Sequence, residues 1–127
     1  NDYSSQIVFY NSQYHKDRNI SGLVLPFKTA KASVIICSDC QYLQLSQFVL
    51  PHLNYSHEHY LIVPHHGGKS GKYIYNNPGK ILFKEAIISV GKNTYNHPNK
   101  IYLEYLGANF KSTSMTLKTK TDILINL

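Results

Sequence analysis

The hydrophobic pattern of this chain consists of short apolar runs separated by polar, turn-forming stretches. Ala32–Cys37 and residues 86–90 are nearly continuous apolar runs with the length of a buried strand, so each predicts one. Residues 60–63 form a third run, which is too short for a helix and is stopped by Pro64. The pattern therefore predicts three buried strands.

The N-terminal part of the chain predicts two more strands. Residues 7–10 form a short apolar run, and residues 19–27 alternate before becoming continuously apolar. Pro26 lacks a backbone donor, which indicates the end of this strand or an edge position. Residues 28–31 then turn the chain into Ala32–Cys37, so the two strands are expected to form a hairpin.

Weaker patterns predict short helices between the strands. One covers residues 41–50 and is closed by Pro51, and residues 81–85 fit the end of another. A third begins at Pro98, where a missing N–H costs nothing. Its cap is Asn96 or His97, its apolar spacing continues through Leu106, and Gly107 ends it. After this helix, residues 109–113 and 122–127 predict two last strands.

Strands interleaved with short helices predict an α/β fold. At 127 residues, the chain has room for a single domain spanning residues 1–127. Its 13 Lys and Arg against 7 Asp and Glu give a formal charge of +6, which favours anionic partners such as nucleic acids, although charge alone also serves solubility. No apolar run approaches the roughly 18 residues of a membrane span and no secretory leader is visible, so we expect a cytoplasmic protein.

Side chains that bind metals or transfer protons follow each of the three buried strands. Asp39 follows the first, the pair His65 and His66 follows the second on a Gly-Gly turn, and His97 follows the third. The carboxyl ends of strands in an open α/β sheet are where ligands and substrates bind. A solvated pair of surface histidines is the alternative for His65 and His66 taken alone.

Two other patterns favour structural roles. Cys37 and Cys40 have the spacing of a redox couple or of half a zinc site, but no second pair completes four thiolates. We expect Cys37 to end its strand and Cys40 to pack under the following helix as a small hydrophobic residue. His57 and His59 resemble a metal pair, but they fall in a predicted polar connection, residues 52–59, and free histidines are the favoured interpretation.

Four motifs stand in the order found in one family of hydrolases. They are Asn19-Ile-Ser-Gly-Leu-Val-Leu, Val34-Ile-Ile-Cys-Ser-Asp, Val63-Pro-His-His-Gly, and Ala86-Ile-Ile-Ser-Val-Gly followed by Asn96-His-Pro. Over roughly residues 19–107, the chain resembles the second half of a metallo-β-lactamase-fold hydrolase. Within that superfamily it is similar to the branch that contains the hydrolase domain of the bacterial competence DNA-uptake channel and its free-standing relatives.

The resemblance implies a dinuclear site with two divalent metal ions, zinc or manganese. Asp39 would bridge the ions, and one of His65 and His66 would be a ligand while the other faces substrate or acts catalytically. His97 would lie at the rim, where it protonates a leaving group or holds a phosphate oxygen. Two such ions suit phosphodiester or nucleic-acid hydrolysis. The predicted substrate-binding residues are Lys69, Ser70 and Asn93.

The sequence departs from the family pattern in two ways. Ser38 replaces a Gly, Gly68 replaces a Ser, and Asn96 replaces a Gly, all of which are mild changes. The family's His-x-His-x-Asp-His motif, which lies in the first half of the fold, has no counterpart before Asp39. We therefore expect half of a site, with the N-terminal half of the fold supplied by another chain or segment, because a half fold would expose a large apolar sheet face. The alternative is a catalytically degenerate module that binds nucleic acid or a protein partner.

Overall fold

In the part of the chain that the structure describes, six strands form one sheet and lie side by side in the order of the sequence. A computed structural model describes residues 6–7, 16, 22–54, 56–71, 83–101, 104, 110–116 and 123–125. The strands are β1 (Gln6–Ile7), β2 (Val24–Lys28), β3 (Ala32–Cys37), β4 (Glu58–Ile62), β5 (Phe83–Ile88) and β6 (Phe110–Met115).

The sheet is antiparallel at one side and parallel at the other. β1, β2 and β3 pair antiparallel, whereas β3, β4, β5 and β6 pair parallel. The predicted hairpin is confirmed, since the Thr29 N–H donates to the Ala32 carbonyl at 2.9 Å in the turn between β2 and β3. Pro26 does not end β2 but lies inside it opposite Ile35, at a position that the described part of β1 does not pair.

An irregular helical segment connects β3 to β4. It begins as an α-helix (Tyr42–Gln44), continues as a π-helix (Leu45–Val49) and ends as a 3₁₀ turn (Leu50–His52). The predicted helix over residues 41–50 is thus present, but it continues past Pro51. None of the helical segments in the described ranges is long and apolar enough to cross a membrane.

Three predictions of secondary structure are wrong for the residues that the structure describes. Phe83 to Glu85, expected to end a helix, form the start of β5. Phe83 is fully buried and stacks on Phe110 of β6 with ring centroids 5.0 Å apart, a non-local contact that local spacing does not reveal. Residues 123–125 are not a strand, and the strand β4 begins at Glu58, inside the expected polar connection.

The helix predicted from Pro98 begins slightly later than expected. Lys100 is its first described helical residue. The Asn99 side-chain oxygen accepts a hydrogen bond from the Ile101 N–H at 3.1 Å, which is the contact of an N-cap. Asn99 therefore caps this helix in place of Asn96 or His97, and most of its predicted apolar residues lie outside the described part.

The two faces of the sheet are covered unequally. On the face that packs against the helical segment, Ile35, Leu61 and Ile88 are fully buried in the main core. Cys37 and Cys40 belong to this core as free, buried thiols, which confirms their predicted places. The opposite face has a smaller cluster formed by Ala32, Val34 and Tyr60, with partly buried Ile62 and Ile125 packed against it; Ile36, the residue next to Ile35, remains 43% exposed.

Candidate active site

The parallel strands bring the predicted site residues to one edge of the sheet. β3, β4 and β5 all run in the same direction, so the loops that follow them meet at their carboxyl ends. The His65 N–H donates to the Ser38 carbonyl at 3.3 Å, which joins the histidine pair to the loop of Asp39. The Asn99 N–H donates to the Gly67 carbonyl at 2.9 Å, which joins the pair to the loop of His97.

The backbone of the histidine pair is left-handed. His65 has φ 52° and ψ 36°, His66 has φ 52° and ψ 29°, and Gly67 follows with φ 77°. A non-glycine residue in this region is uncommon, although His tolerates it better than most, and each costs about 1–3 kcal/mol that the surroundings must offset. Such strain concentrates at functional sites, so the conformation points to this turn as one.

His66 is oriented by a carbonyl group of the next loop. Its Nδ1 lies 2.6 Å from the Ser89 carbonyl oxygen, and because a carbonyl only accepts, Nδ1 carries the hydrogen. The neutral ring then has its lone pair on Nε2, and the side chain is exposed. A histidine whose second nitrogen donates to a carbonyl is the usual form of a metal-binding histidine, so His66 is the member of the pair suited to be a ligand.

His65 and His97 form a contact beside it. Their ring centroids are 5.2 Å apart and the rings meet edge to face, while Tyr95 stacks on His97 with ring centroids 6.1 Å apart. The Nδ1 atoms of His65 and His97 are both buried and have no hydrogen-bond partner in the described part of the chain. Unpaired buried nitrogens are costly and call for an explanation, for which a bound ligand is one candidate.

The pKa of His97 reflects these neighbours. It is lowered below the usual value of 6.5, first by burial of the ring and then by the charges of His65 and His66. The carboxylate of Asp39 opposes this shift, which means that it lies near enough to act on the ring. His97 is thus mainly neutral at pH 7, and a phosphate anion next to it would favour the protonated form that a general acid needs.

Asn93 uses its whole side chain to shape the loop that contains His97. Its Nδ2 donates to the carbonyls of Gly91 and His97, both at 2.9 Å. Its Oδ1 accepts from the N–H groups of Tyr95 at 3.0 Å and His97 at 3.1 Å. These contacts use both donors and both acceptor sites of the amide. Asn93, predicted to bind substrate, therefore holds His97 in place, a role that only the loop geometry reveals.

The three departures from the family pattern fit their surroundings. A Cβ at Gly68 would lie 2.5 Å from Cε1 of His97, so the small residue makes room for that ring. Asn96 has φ 57°, a conformation that Asn accepts more readily than most residues. A Cβ at Gly22 would lie 2.9 Å from Oγ of Ser38, so Gly22 makes room for that hydroxyl.

The two remaining predicted substrate-binding residues differ in exposure. Lys69 is exposed to solvent next to the histidine pair. Ser70 is only 1% exposed; its carbonyl accepts from the Tyr42 N–H at 2.9 Å, so it ties this loop to the helical segment, and its hydroxyl does not face solvent. Residues 72–80 lie outside the described part of the chain.

The described residues do not contain a complete metal site. No group of three or more His, Cys, Asp or Glu side chains within the described ranges is arranged to hold a metal ion. Asp39 and His66 lie on neighbouring loops of this edge, which the hydrogen bond from the His65 N–H to the Ser38 carbonyl joins. His57 and His59 lie away from this edge, before and within the first part of β4.

A comparison of the chain with protein-family models, with curated proteins and with solved structures finds no match. The α/β class therefore rests on the structure itself, and the family resemblance rests on the four motifs.

Proposed function

We propose that this chain is the second half of a metal-dependent hydrolase with the metallo-β-lactamase fold, acting on a phosphodiester such as nucleic acid. The observation that supports this most is the anchoring of His66 by the Ser89 carbonyl, 2.6 Å from Nδ1, at the same sheet edge as Asp39 and His97. This arrangement orients an imidazole toward a ligand, and a surface histidine pair without function has no need of it.

Each residue has a separate role in this proposal. Asp39 and the Nε2 atom of His66 would hold divalent metal, zinc or manganese, which supplies a nucleophilic hydroxide and neutralises charge when bound. His97 faces the substrate side and moves a proton to or from a phosphate oxygen, while Asn93 holds it there. Lys69 and the formal charge of +6 attract the anionic substrate.

The rest of the metal site would come from the first half of the fold, which carries His-x-His-x-Asp-His. That partner would be another chain or segment and would cover the sheet face on which Ile36 is 43% exposed. By this proposal the chain alone self-associates, and co-expression with such a partner yields a stable assembly in the cytoplasm. A well-behaved monomer with cooperative unfolding would contradict the half-fold hypothesis.

Titration with Zn²⁺ tests the metal site on the 127-residue chain itself. Calorimetry should show saturable binding that Asp39→Asn and His66→Gln each weaken by roughly 10-fold or more, since one charged or imidazole ligand is lost. His52→Gln is the control, because it removes an exposed histidine at the other end of the helical segment. If no saturable binding occurs, or if His52→Gln weakens it equally, the proposed site is wrong.

The second candidate is a non-enzymatic module that binds nucleic acid or a protein partner. It is favoured by the lack of a complete donor group among the described residues. It predicts nucleic-acid binding that is independent of Zn²⁺ and unchanged in Asp39→Asn, with no hydrolysis in the assembled protein. The hydrolase hypothesis instead predicts hydrolysis in the assembled protein that depends on divalent metal and falls by several orders of magnitude in Asp39→Asn, while anion binding through the basic surface persists.

A further inference from the structure

A second polar site lies at the edge of the sheet opposite to Asp39. There a cavity of about 300 Å³ opens between the end of β2, the start of β3 and the chain that leads into β4. Its polar lining includes Lys28, Ser33, His52, Asn54, His57 and His59. The lining thus brings three histidine side chains and one lysine side chain together, and the packing of the sheet does not require these residue types there.

A buried hydrogen-bond chain forms the floor of this cavity. His59 is 1% exposed and Ser33 is 2% exposed. The Asn54 carbonyl, which can only accept, lies 2.7 Å from Nε2 of His59, so Nε2 carries the hydrogen. Nδ1 of the neutral ring then accepts from the Ser33 hydroxyl at 2.5 Å. Burial lowers the pKa of His59, which agrees with a neutral ring.

The same chain of hydrogen bonds sets the tautomer of His57. The Asn54 Oδ1 accepts from the Ser56 N–H at 3.0 Å, which places the Asn54 Nδ2 group toward Nε2 of His57 at 3.2 Å. Because Nδ2 only donates, Nε2 accepts, and the hydrogen of the neutral His57 ring is on Nδ1. The network therefore leaves His57 with an N–H group available to an acceptor.

The described lining of the cavity contains a positively charged side chain, Lys28, and no negatively charged one. The Lys28 ammonium donates to the His52 carbonyl at 3.4 Å and keeps two further N–H groups. No Asp or Glu is among the described residues that line the cavity. The nearest acid along β4 is Glu58; it alternates to the face opposite His59 and pairs there with Lys84 at 2.7 Å. The lining thus presents donors and positive charge without a compensating carboxylate.

We propose that this cavity binds a small phosphate-bearing anion. Its donors come from the end of β2 and from the loop before β4, so they approach from different directions, as the oxygens of a tetrahedral phosphate require. A volume of about 300 Å³ is at the lower end of small-molecule sites and suits inorganic phosphate or a small phosphate ester. This site is separate from the proposed hydrolase site and does not depend on it.

Titration of the full chain with inorganic phosphate at constant ionic strength tests this proposal. Lys28→Gln should weaken binding about tenfold or more, because a charge-assisted hydrogen bond is lost. Lys31→Gln is the matched control: it removes the same charge from an exposed residue of the neighbouring turn that does not line the cavity, and binding should change less than about twofold. His57→Leu, a second variant, should weaken binding roughly threefold to tenfold.

Other anions identify the natural form of the ligand. A nucleoside 5′-monophosphate that binds more tightly than phosphate would identify an ester as the ligand, and equal affinity would identify the free phosphate; both outcomes support the site. The proposal is overturned if phosphate does not saturate the chain, if acetate binds as tightly as phosphate, or if Lys31→Gln weakens binding as much as Lys28→Gln.

Discussion

Gly68→Ala is the sharpest probe of the candidate active site because it adds one methyl group against His97. The added Cβ would lie 2.5 Å from Cε1 and 2.8 Å from Nε2 of His97, and 2.9 Å from the carbonyl oxygen of His65. Gly68 has φ −77° and ψ −162°, which any residue adopts, so the substitution causes no backbone strain of its own. Its effect is therefore purely steric.

The size of the effect follows from these distances. Carbon atoms in contact are normally about 3.5–4.0 Å apart, so the His97 ring must move by roughly 1 Å or more. Overpacking of this kind costs about 1–3 kcal/mol. For a domain of this size, that lowers Tm by roughly 4 °C per kcal/mol. In an assembled hydrolase, a displacement of about 1 Å at a catalytic group lowers turnover by about 100-fold.

The comparison is with Gly91→Ala, where an added Cβ would meet nothing within 4 Å. That variant should be as stable as the wild-type chain or slightly more so, by about 0.4–1 kcal/mol, because it reduces the entropy of the unfolded state. Thermal unfolding and the imidazole NMR signals of His97 and His65 are the measurements. Equal Tm values for the two variants together with unchanged His97 signals would show that the ring does not pack on Gly68.

Two further predictions address single side chains. Asn93→Ala should expose the His97 N–H to rapid hydrogen exchange while the amides of β5 stay protected, because the hydrogen bonds of the Asn93 side chain are confined to the loop. Equal exchange of the His97 N–H in the variant and the wild type would contradict the positioning role of Asn93. The pKa of His59 is lowered in the folded chain, so the unfolded chain takes up the proton first as pH falls below about 6.5. The free energy of unfolding should therefore decrease on acidification by up to about 1.4 kcal/mol per pH unit. Above about pH 6.5, His59 should have no effect on stability. Urea unfolding at pH 5, 6 and 7 measures it, and an identical slope in His59→Gln would rule out this residue as the cause.

Local sequence patterns predicted the strands that are buried and continuous. Ala32–Cys37 is found with its expected bounds, because all of its residues except Ser33 are apolar, as is typical of a strand in the buried part of a sheet. The pattern failed at Phe83–Glu85, the first half of β5, which includes exposed Lys84 and partly buried Glu85. Pairing with β6, far away in the sequence, makes this segment a strand, and no local signal reports that pairing.

The sequence also predicted that Asp39, the histidine pair and His97 follow parallel strands at one edge of the sheet, but not the contacts that hold each side chain. His65 and His66 are equivalent in the sequence, and they differ in the structure because the Ser89 carbonyl reaches only His66. That carbonyl is a backbone group, and every residue has one, so the identity of residue 89 does not predict the contact. The role of Asn93 depends likewise on the backbone of its own loop. Only Gly67, which favours a left-handed turn, hinted at the strained conformation of the pair.

The strained turn bears on what a partner half would contribute. Left-handed His65 and His66 require external support, and the hydrogen bonds that hold this turn come from the loops after β3 and β5, through the Ser38 and Ser89 carbonyls and the Asn99 N–H. All three groups belong to this chain, so the histidine pair is oriented before any partner arrives. Because preorganised groups lose less freedom on binding, a partner that supplies the missing ligands would meet a half-site already in its binding geometry. The proposed assembly would then gain its affinity from metal coordination and from covering the exposed sheet face, since the histidine turn needs no remodelling.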